Sequence, residues 1–81
     1  MYYAKSINRI GKYQIDEQLH SFETIGERDK WVETFTGEYE FQEPISYMEA
    51  LSVAKKLYEK RNSSIDHMEP WEYIEAESIR H

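Results

Sequence analysis

The sequence predicts an α+β domain: a small antiparallel sheet of two or three strands packed against two α-helices, in the order ββααβ. Three observations lead there. β-favouring residues crowd the stretch before Thr24, capping boxes at Thr24 and Ser46 open two helical stretches, and no linker or repeat divides the 81 residues. A chain of this length forms one domain, residues 1–81, and buries roughly 60–65% of its extended surface.

The strands come first. Tyr2, Tyr3, Ile7 and Ile10 form one β-favouring run, and Tyr13, Ile15, Leu19 and Phe22 form a second. Gly11 between them predicts a hairpin across Arg9–Lys12. In the second run Tyr13, Ile15, Leu19 and Ser21 keep one phase of the alternation. Phe22 falls out of that phase, so a bulge or the approach to a helix is expected there.

Thr24-Ile25-Gly26-Glu27 has the Thr-x-x-Glu form in which hydroxyl and carboxylate each satisfy an end-of-helix amide. Trp31 and Phe35, four apart, share a face of that first helix, and Gly37 is placed to close it. Pro44 stops helix from running onward through Glu38–Glu43. Ser46-x-x-Glu49 repeats the capping box, with Ile45 and Ala50 as a hydrophobic staple. Tyr47, Leu51, Ala54 and Tyr58 mark the stripe of the second helix, widened by Met48 and Leu57. Lys55, Lys56, Lys60 and Arg61 sit late in it, where terminal carbonyls favour cations, and Asn62-Ser63-Ser64 ends it. Between Trp71 and Ile79 both an alternating strand and a Pro70-started helix fit, and the strand is preferred. The expected core is Ile7, Ile15, Leu19, Phe22, Trp31, Phe35, Leu51, Ala54 and Leu57.

The formal net charge of −6 is unevenly spread. Residues 1–12 carry only cations (Lys5, Arg9, Lys12), residues 13–49 are strongly acidic, and the end of the second helix is basic again. The tail after it is acidic. Absence of Cys excludes a disulfide framework, thiolate zinc and cysteine catalysis. No apolar run reaches the roughly 18–20 residues of a membrane span, and the polar N-terminal stretch does not read as a signal peptide, so a cytoplasmic protein is expected.

Enzyme chemistry finds no foothold. The glycines at 11, 26 and 37 are isolated, so there is no phosphate loop. His20 and Ser21 are neighbours on a strand and point to opposite faces, as do Asp16 and Glu17, which leaves neither pair suited to joint catalysis. Asp66-His67-Met68-Glu69, with His81, has no recognised metal spacing and reads as a polar loop. No catalytic residue, metal or cofactor is assigned.

Two binding patterns remain. Tyr2, Tyr3 and Tyr13 interleave with Lys5, Arg9 and Lys12, the composition of a small stacking platform for nucleic acid, although the acidic whole opposes phosphate binding. Around the first helix and the connection after it, Glu33, Glu38, Glu40 and Glu43 accompany Tyr39, Phe41 and Tyr47. Carboxylates spaced in this way can occupy a basic groove built for phosphates, with the aromatics as apolar anchors. A merely solvated acidic surface has the same composition.

The segment His20-Ser21-Phe22-Glu23-Thr24-x-x-Glu27-Arg28-Asp29-Lys30-Trp31-Val32, followed by Pro44-Ile45-Ser46-Tyr47-x-Glu49-Ala50, resembles small acidic proteins of bacteriophages and mobile elements. In these a strand ending Phe-x-Thr leads into a Glu-Arg-Asp-x-Trp-Val helix. The resemblance covers about residues 20–51, and some such proteins are anti-CRISPR inhibitors. It implies a non-enzymatic inhibitor in the host bacterial cell that binds a defence nuclease or CRISPR effector complex without touching nucleic acid or membrane. A homodimer is compatible with so small and tyrosine-rich a domain. The alternative is a small nucleic-acid-binding regulator working through the N-terminal aromatic and basic strands.

Overall fold

A computed structural model describes residues 1–34, 37–61 and 68–81. The first run of β-favouring residues forms β1 (Tyr2–Arg9) and the second forms β2 (Ile15–Phe22), paired antiparallel from Tyr2↔Phe22 to Arg9↔Ile15. The hairpin tip therefore lies at residues 10–14, closed by the Ile10 amide donating to the Gln14 carbonyl at 3.1 Å, not across Arg9–Lys12 as expected. The reason lies in the chain itself: with no Asn-Gly or Asp-Gly pair to pin a tight turn, strand pairing and burial select the register.

Helix α1 (Ile25–Glu33) follows, then the short strand β3 (Phe41–Ile45), helix α2 (Tyr47–Arg61), helix α3 (Pro70–Glu77) and strand β4 (Ser78–Arg80). The protein is thus α+β, with a mixed sheet of four strands in the order β3-β1-β2-β4 and three helices. The expected ββααβ order misses β3 and treats the tail as strand alone. β3 pairs antiparallel to β1 and survives Pro44 because it lies at the sheet edge, where a missing N–H costs least. In the tail Pro70 opens a helix instead of a strand, and only Ser78–Arg80 are extended, parallel to β2.

Both faces of the sheet are covered, and this decides the core. Odd-numbered Tyr3, Leu19 and Ile45 form one layer with Ala50, Val53 and Ala54 of α2 and Tyr73 and Ile74 of α3. Even-numbered Ala4, Ser6, His20 and Phe22 are buried on the opposite face, where Trp31 of α1 packs on His20 and Phe22. Phe22 is therefore in register, with no bulge; the break in phase marks a second buried layer. Of the expected core, Leu19, Phe22 and Ala54 are buried, while Ile7, Trp31, Leu51 and Leu57 are half-buried. Ile15 is 52% exposed, lining an open cleft with Lys56, Leu57 and Lys60 of α2 instead of packing in the buried cluster, and Phe35 lies outside the described residues.

Both helices start where the sequence predicts, with the hydroxyl half of each capping box formed. The Thr24 hydroxyl accepts from the Glu27 amide at 3.1 Å and the Ser46 hydroxyl from the Glu49 amide at 3.2 Å. Ile45 and Ala50 are buried in one cluster, as a staple requires. The α1 helix ends at Thr34, whose hydroxyl returns to the Lys30 carbonyl, so Gly37 does not cap it. Gly37 instead supplies the one positive φ among the described residues, +81°, in the connection to β3. The expected stop at Asn62-Ser63-Ser64 lies outside the described residues. Thr24→Ala is expected to lower stability by about 1 kcal/mol through the lost cap, read as a urea-midpoint shift with unchanged slope.

Candidate functional site

Two groups of side chains stand out on this frame, one at the β3 edge and one beneath α1. At the edge, Asn8 of β1 fastens the connection that precedes β3. Its Nδ2 donates to the Glu38 carbonyl at 2.8 Å and its Oδ1 accepts from the Glu40 amide at 3.0 Å. Glu38 and Glu40 are thereby held beside the open strand edge, and Phe41 follows 59% exposed. Asn8, Arg9, Gly37, Tyr39, Glu40 and Phe41 line a shallow hollow of about 490 Å³.

The carboxylates here differ in how far they are engaged. Glu40 lies 3.9 Å from Arg9, an exposed pair of small worth. Glu43 reaches Lys5 Nζ at 3.1 Å, and Lys5 also faces Glu17 at 3.8 Å, which in turn pairs with Lys56 of α2 at 2.9 Å. This ladder crosses β3, β1, β2 and α2. The bond to Glu43 raises the Lys5 ammonium above its ordinary value, against the opposing effect of burial.

The structure brings Glu38, Glu40, Phe41 and Glu43 together and sends the remaining expected site residues elsewhere. Glu33 closes α1, and Tyr47, half-exposed at the start of α2, tilts against Tyr3 at 6.0 Å. Tyr39 turns beneath the sheet, edge-on to His20 at 5.5 Å and 6.0 Å from Trp31. Burial there, aided by Glu38 and Asp16, raises its phenol above the ordinary value. The basic and aromatic residues of the N-terminal hairpin share no single surface: Tyr3 is buried and Lys5 largely so beneath the α2 layer, Tyr2 is on the other face under Arg28, and Tyr13 is at the tip.

The group beneath α1 has no counterpart in the sequence reading. His20 and Ser21 do face opposite sides, but His20 meets Ser6, its diagonal neighbour on β1: Oγ and Nε2 are 2.8 Å apart and both residues are fully buried. The other ring nitrogen, Nδ1, lies 2.9 Å from Nε2 of His81, delivered by β4. His81 stacks on Phe22 at 4.5 Å, with 13° between the planes, and lies 5.4 Å from Trp31. Burial first, and the neighbouring His81 second, lower His20 from 6.5 to about 4, so it is neutral at physiological pH. Burial lowers His81 as well.

One proton arrangement satisfies this chain. The Ser6 hydroxyl donates to His20 Nε2, and His20 Nδ1–H donates to His81 Nε2. The reverse direction leaves the hydroxyl proton without an acceptor among the described residues. Ser6→Ala strands the buried Nε2 and is expected to cost about 1–3 kcal/mol, measurable by thermal or urea unfolding at neutral pH. Among the described residues no three His, Asp or Glu side chains converge as a metal site, and no helix is long and apolar enough to cross a membrane. Asp66 and His67 lie outside the described residues.

The observed hairpin is centred on Lys12, which pairs Ser6 with Gln18 and sets His20 diagonal to Ser6, so the contact follows from the strand register. Nothing in the sequence signals His81. Compared with protein-family models, curated proteins and solved structures, the chain matches none.

Proposed function

We propose that this chain is a non-enzymatic, protein-binding inhibitor of phage or mobile-element origin, acting in the host bacterial cell. Its acidic β3 edge occupies a basic, nucleic-acid-binding surface of a defence nuclease, and the resemblance over residues 20–51 implies a CRISPR effector complex as that partner. The observation that carries the reading is Phe41, an exposed aromatic at an open sheet edge, set between Glu38, Glu40 and Glu43. Such a grouping has the form of an interface anchor inside a charged rim. The carboxylates supply the charge that phosphates present to the same partner surface, and β3 offers free backbone groups for strand addition. Ser6 and His20, the polar pair most like a catalytic one, are sealed from solvent, which favours binding over chemistry.

The test is direct binding to purified CRISPR effector complexes, with and without their target nucleic acid, from low salt to roughly 0.5 M. Affinity is expected to fall steeply with salt, and target nucleic acid is expected to compete. Binding that ignores salt, or that proceeds on a complex already filled with nucleic acid, overturns the reading.

A further inference from the structure

We propose that β4 and His81 form an acid-released latch over the Trp31 face of the sheet, a device independent of the β3 edge. The geometry is a pair of imidazoles nose to nose, His20 Nδ1 and His81 Nε2 at 2.9 Å, with room for a single proton between them. In the arrangement that satisfies Ser6, that proton belongs to His20, and no ring nitrogen of the pair has a free lone pair. A further proton therefore enters only if the bond between the rings breaks, or if the chain reverses and strands the Ser6 hydroxyl beneath the sheet. Opening relieves both costs, because His81 then carries its charge in water.

Among the described residues the surroundings do not supply a compensating charge. From β1 the cluster is faced by Ser6 and Tyr2, and from β2 by Gln18 and Phe22. Glu27 and Lys30 of α1 both line the cleft beside His81 and oppose one another in sign. Tyr39 presents a phenol that burial keeps protonated, and from β3 Gln42 is spent on the Trp31 carbonyl at 2.8 Å. Asp16 reaches the cluster only through its field on Tyr39.

β4 is suited to local release. It is three residues long, pairs among the described residues only with β2, and is continued by the His81 amide donating to the Ser21 carbonyl at 3.0 Å. The helix before it stays anchored by Tyr73 and Ile74 in the opposite core layer, and the Ser78 hydroxyl caps the Ile74 carbonyl at the junction. Opening uncovers the Phe22 and Trp31 walls of a cleft of about 310 Å³.

The sign follows from the direction of the shifts. Both imidazoles are held below their ordinary value when the latch is closed, so closure is fully favoured above about pH 6.5 and weakens as pH falls toward 4. The added charge is carried by His81 in the open state, while His20 stays buried against Ser6, so the population with β4 released rises as pH falls from 7.5 to 5.

Amide hydrogen exchange followed by NMR on the whole chain tests this. Protection factors over Ser78–His81 are expected to fall at least about threefold between pH 7.5 and 5, while those across the β1–β2 ladder hold. In His81→Gln, which keeps an acceptor for His20 but does not titrate, β4 protection should be independent of pH. His81→Phe, which keeps the stacked ring, serves if the glutamine variant does not seat β4. The latch is overturned if β4 protection in the wild-type chain is flat with pH, if β4 and β1–β2 lose protection together, or if the variant that seats β4 shows the wild-type fall.

Discussion

Leu19→Ala is expected to remove about 3 kcal/mol of stability, within the range for truncating a fully buried leucine. Leu19 is inaccessible to solvent and belongs to the layer where Tyr3 and Ile45 meet α2 and α3. Its directly opposite partners are Lys5 on β1 and Ser78 on β4, so no large apolar side chain faces it across either ladder. In a domain of 81 residues, whose total stability is of order 4–12 kcal/mol, the loss lowers Tm by at least about 12 °C. Ile15→Ala, four residues earlier on the same strand face, is the control. Its side chain is 52% exposed, and less than about 1 kcal/mol is expected. Equal losses at the two positions, read from urea unfolding, would contradict the burial of Leu19 in the packed layer and the exposure of Ile15 beside it.

That contrast shows what a period-two pattern conveys and what it omits. Ile15 and Leu19 share a phase, and sequence alone treats them alike; what separates them is that Leu19 meets the apolar cluster of α2 and α3, while Ile15 meets the lysine-bearing end of α2. Phe22 teaches the complementary lesson. Out of phase with Leu19, it looks like an irregularity when a sheet is assumed to be buried on one face. In a sheet buried on both, it is regular. Local signals were legible where they act locally: Thr24 and Ser46 satisfy the first amides of α1 and α2 whatever the rest of the chain does. β3 was not legible, since Phe41–Ile45 contains a proline and has no alternation of its own; it becomes a strand because the free edge of β1 receives it. The tail was misread because Trp71, Tyr73 and Ile79 mimic strand alternation, while Pro70 and the burial of Tyr73 and Ile74 against α2 select helix.

The candidate site divides along the same line. The acidic edge residues Glu38, Glu40, Phe41 and Glu43 are close in sequence and so remain close in space. The Ser6–His20–His81 chain joins three elements, one of them a parallel strand that arrives only after three intervening helices, and no local pattern encodes it. Tyr39 connects the two regions. Counted in the sequence as an anchor for a partner, it is spent against His20 and Trp31, which leaves Phe41 as the exposed aromatic of the edge. A partner therefore meets one aromatic side chain and a carboxylate row whose backbone Asn8 holds in place. Preorganisation of that kind lowers the ordering cost of binding.

On the proposed inhibitor reading, reversing Glu38, Glu40 and Glu43 to lysine is expected to abolish inhibition of a defence nuclease and to cost at least about a hundredfold in affinity at low salt. Three reversals of two charges each take the formal net charge from −6 to zero, so steering toward a basic surface is lost together with the local contacts. Association rate should carry most of the change, and the salt dependence of binding should flatten. Stability should respond unequally across the three sites. The Arg9–Glu40 pair is exposed and spans 3.9 Å, so its loss is minor, whereas Glu43→Lys sets a cation against the largely buried Lys5. Glu38→Lys/Glu40→Lys with Glu43 retained separates the two effects, because it keeps Lys5 paired at 3.1 Å while removing most of the edge charge. Phe41→Ala tests the anchor without changing charge and should weaken binding by roughly thirtyfold at every salt concentration, an effect on dissociation and not on encounter. Inhibition by the double charge variant and by Phe41→Ala at wild-type strength would remove the β3 edge as the binding surface, since between them they alter both its field and its exposed apolar side chain.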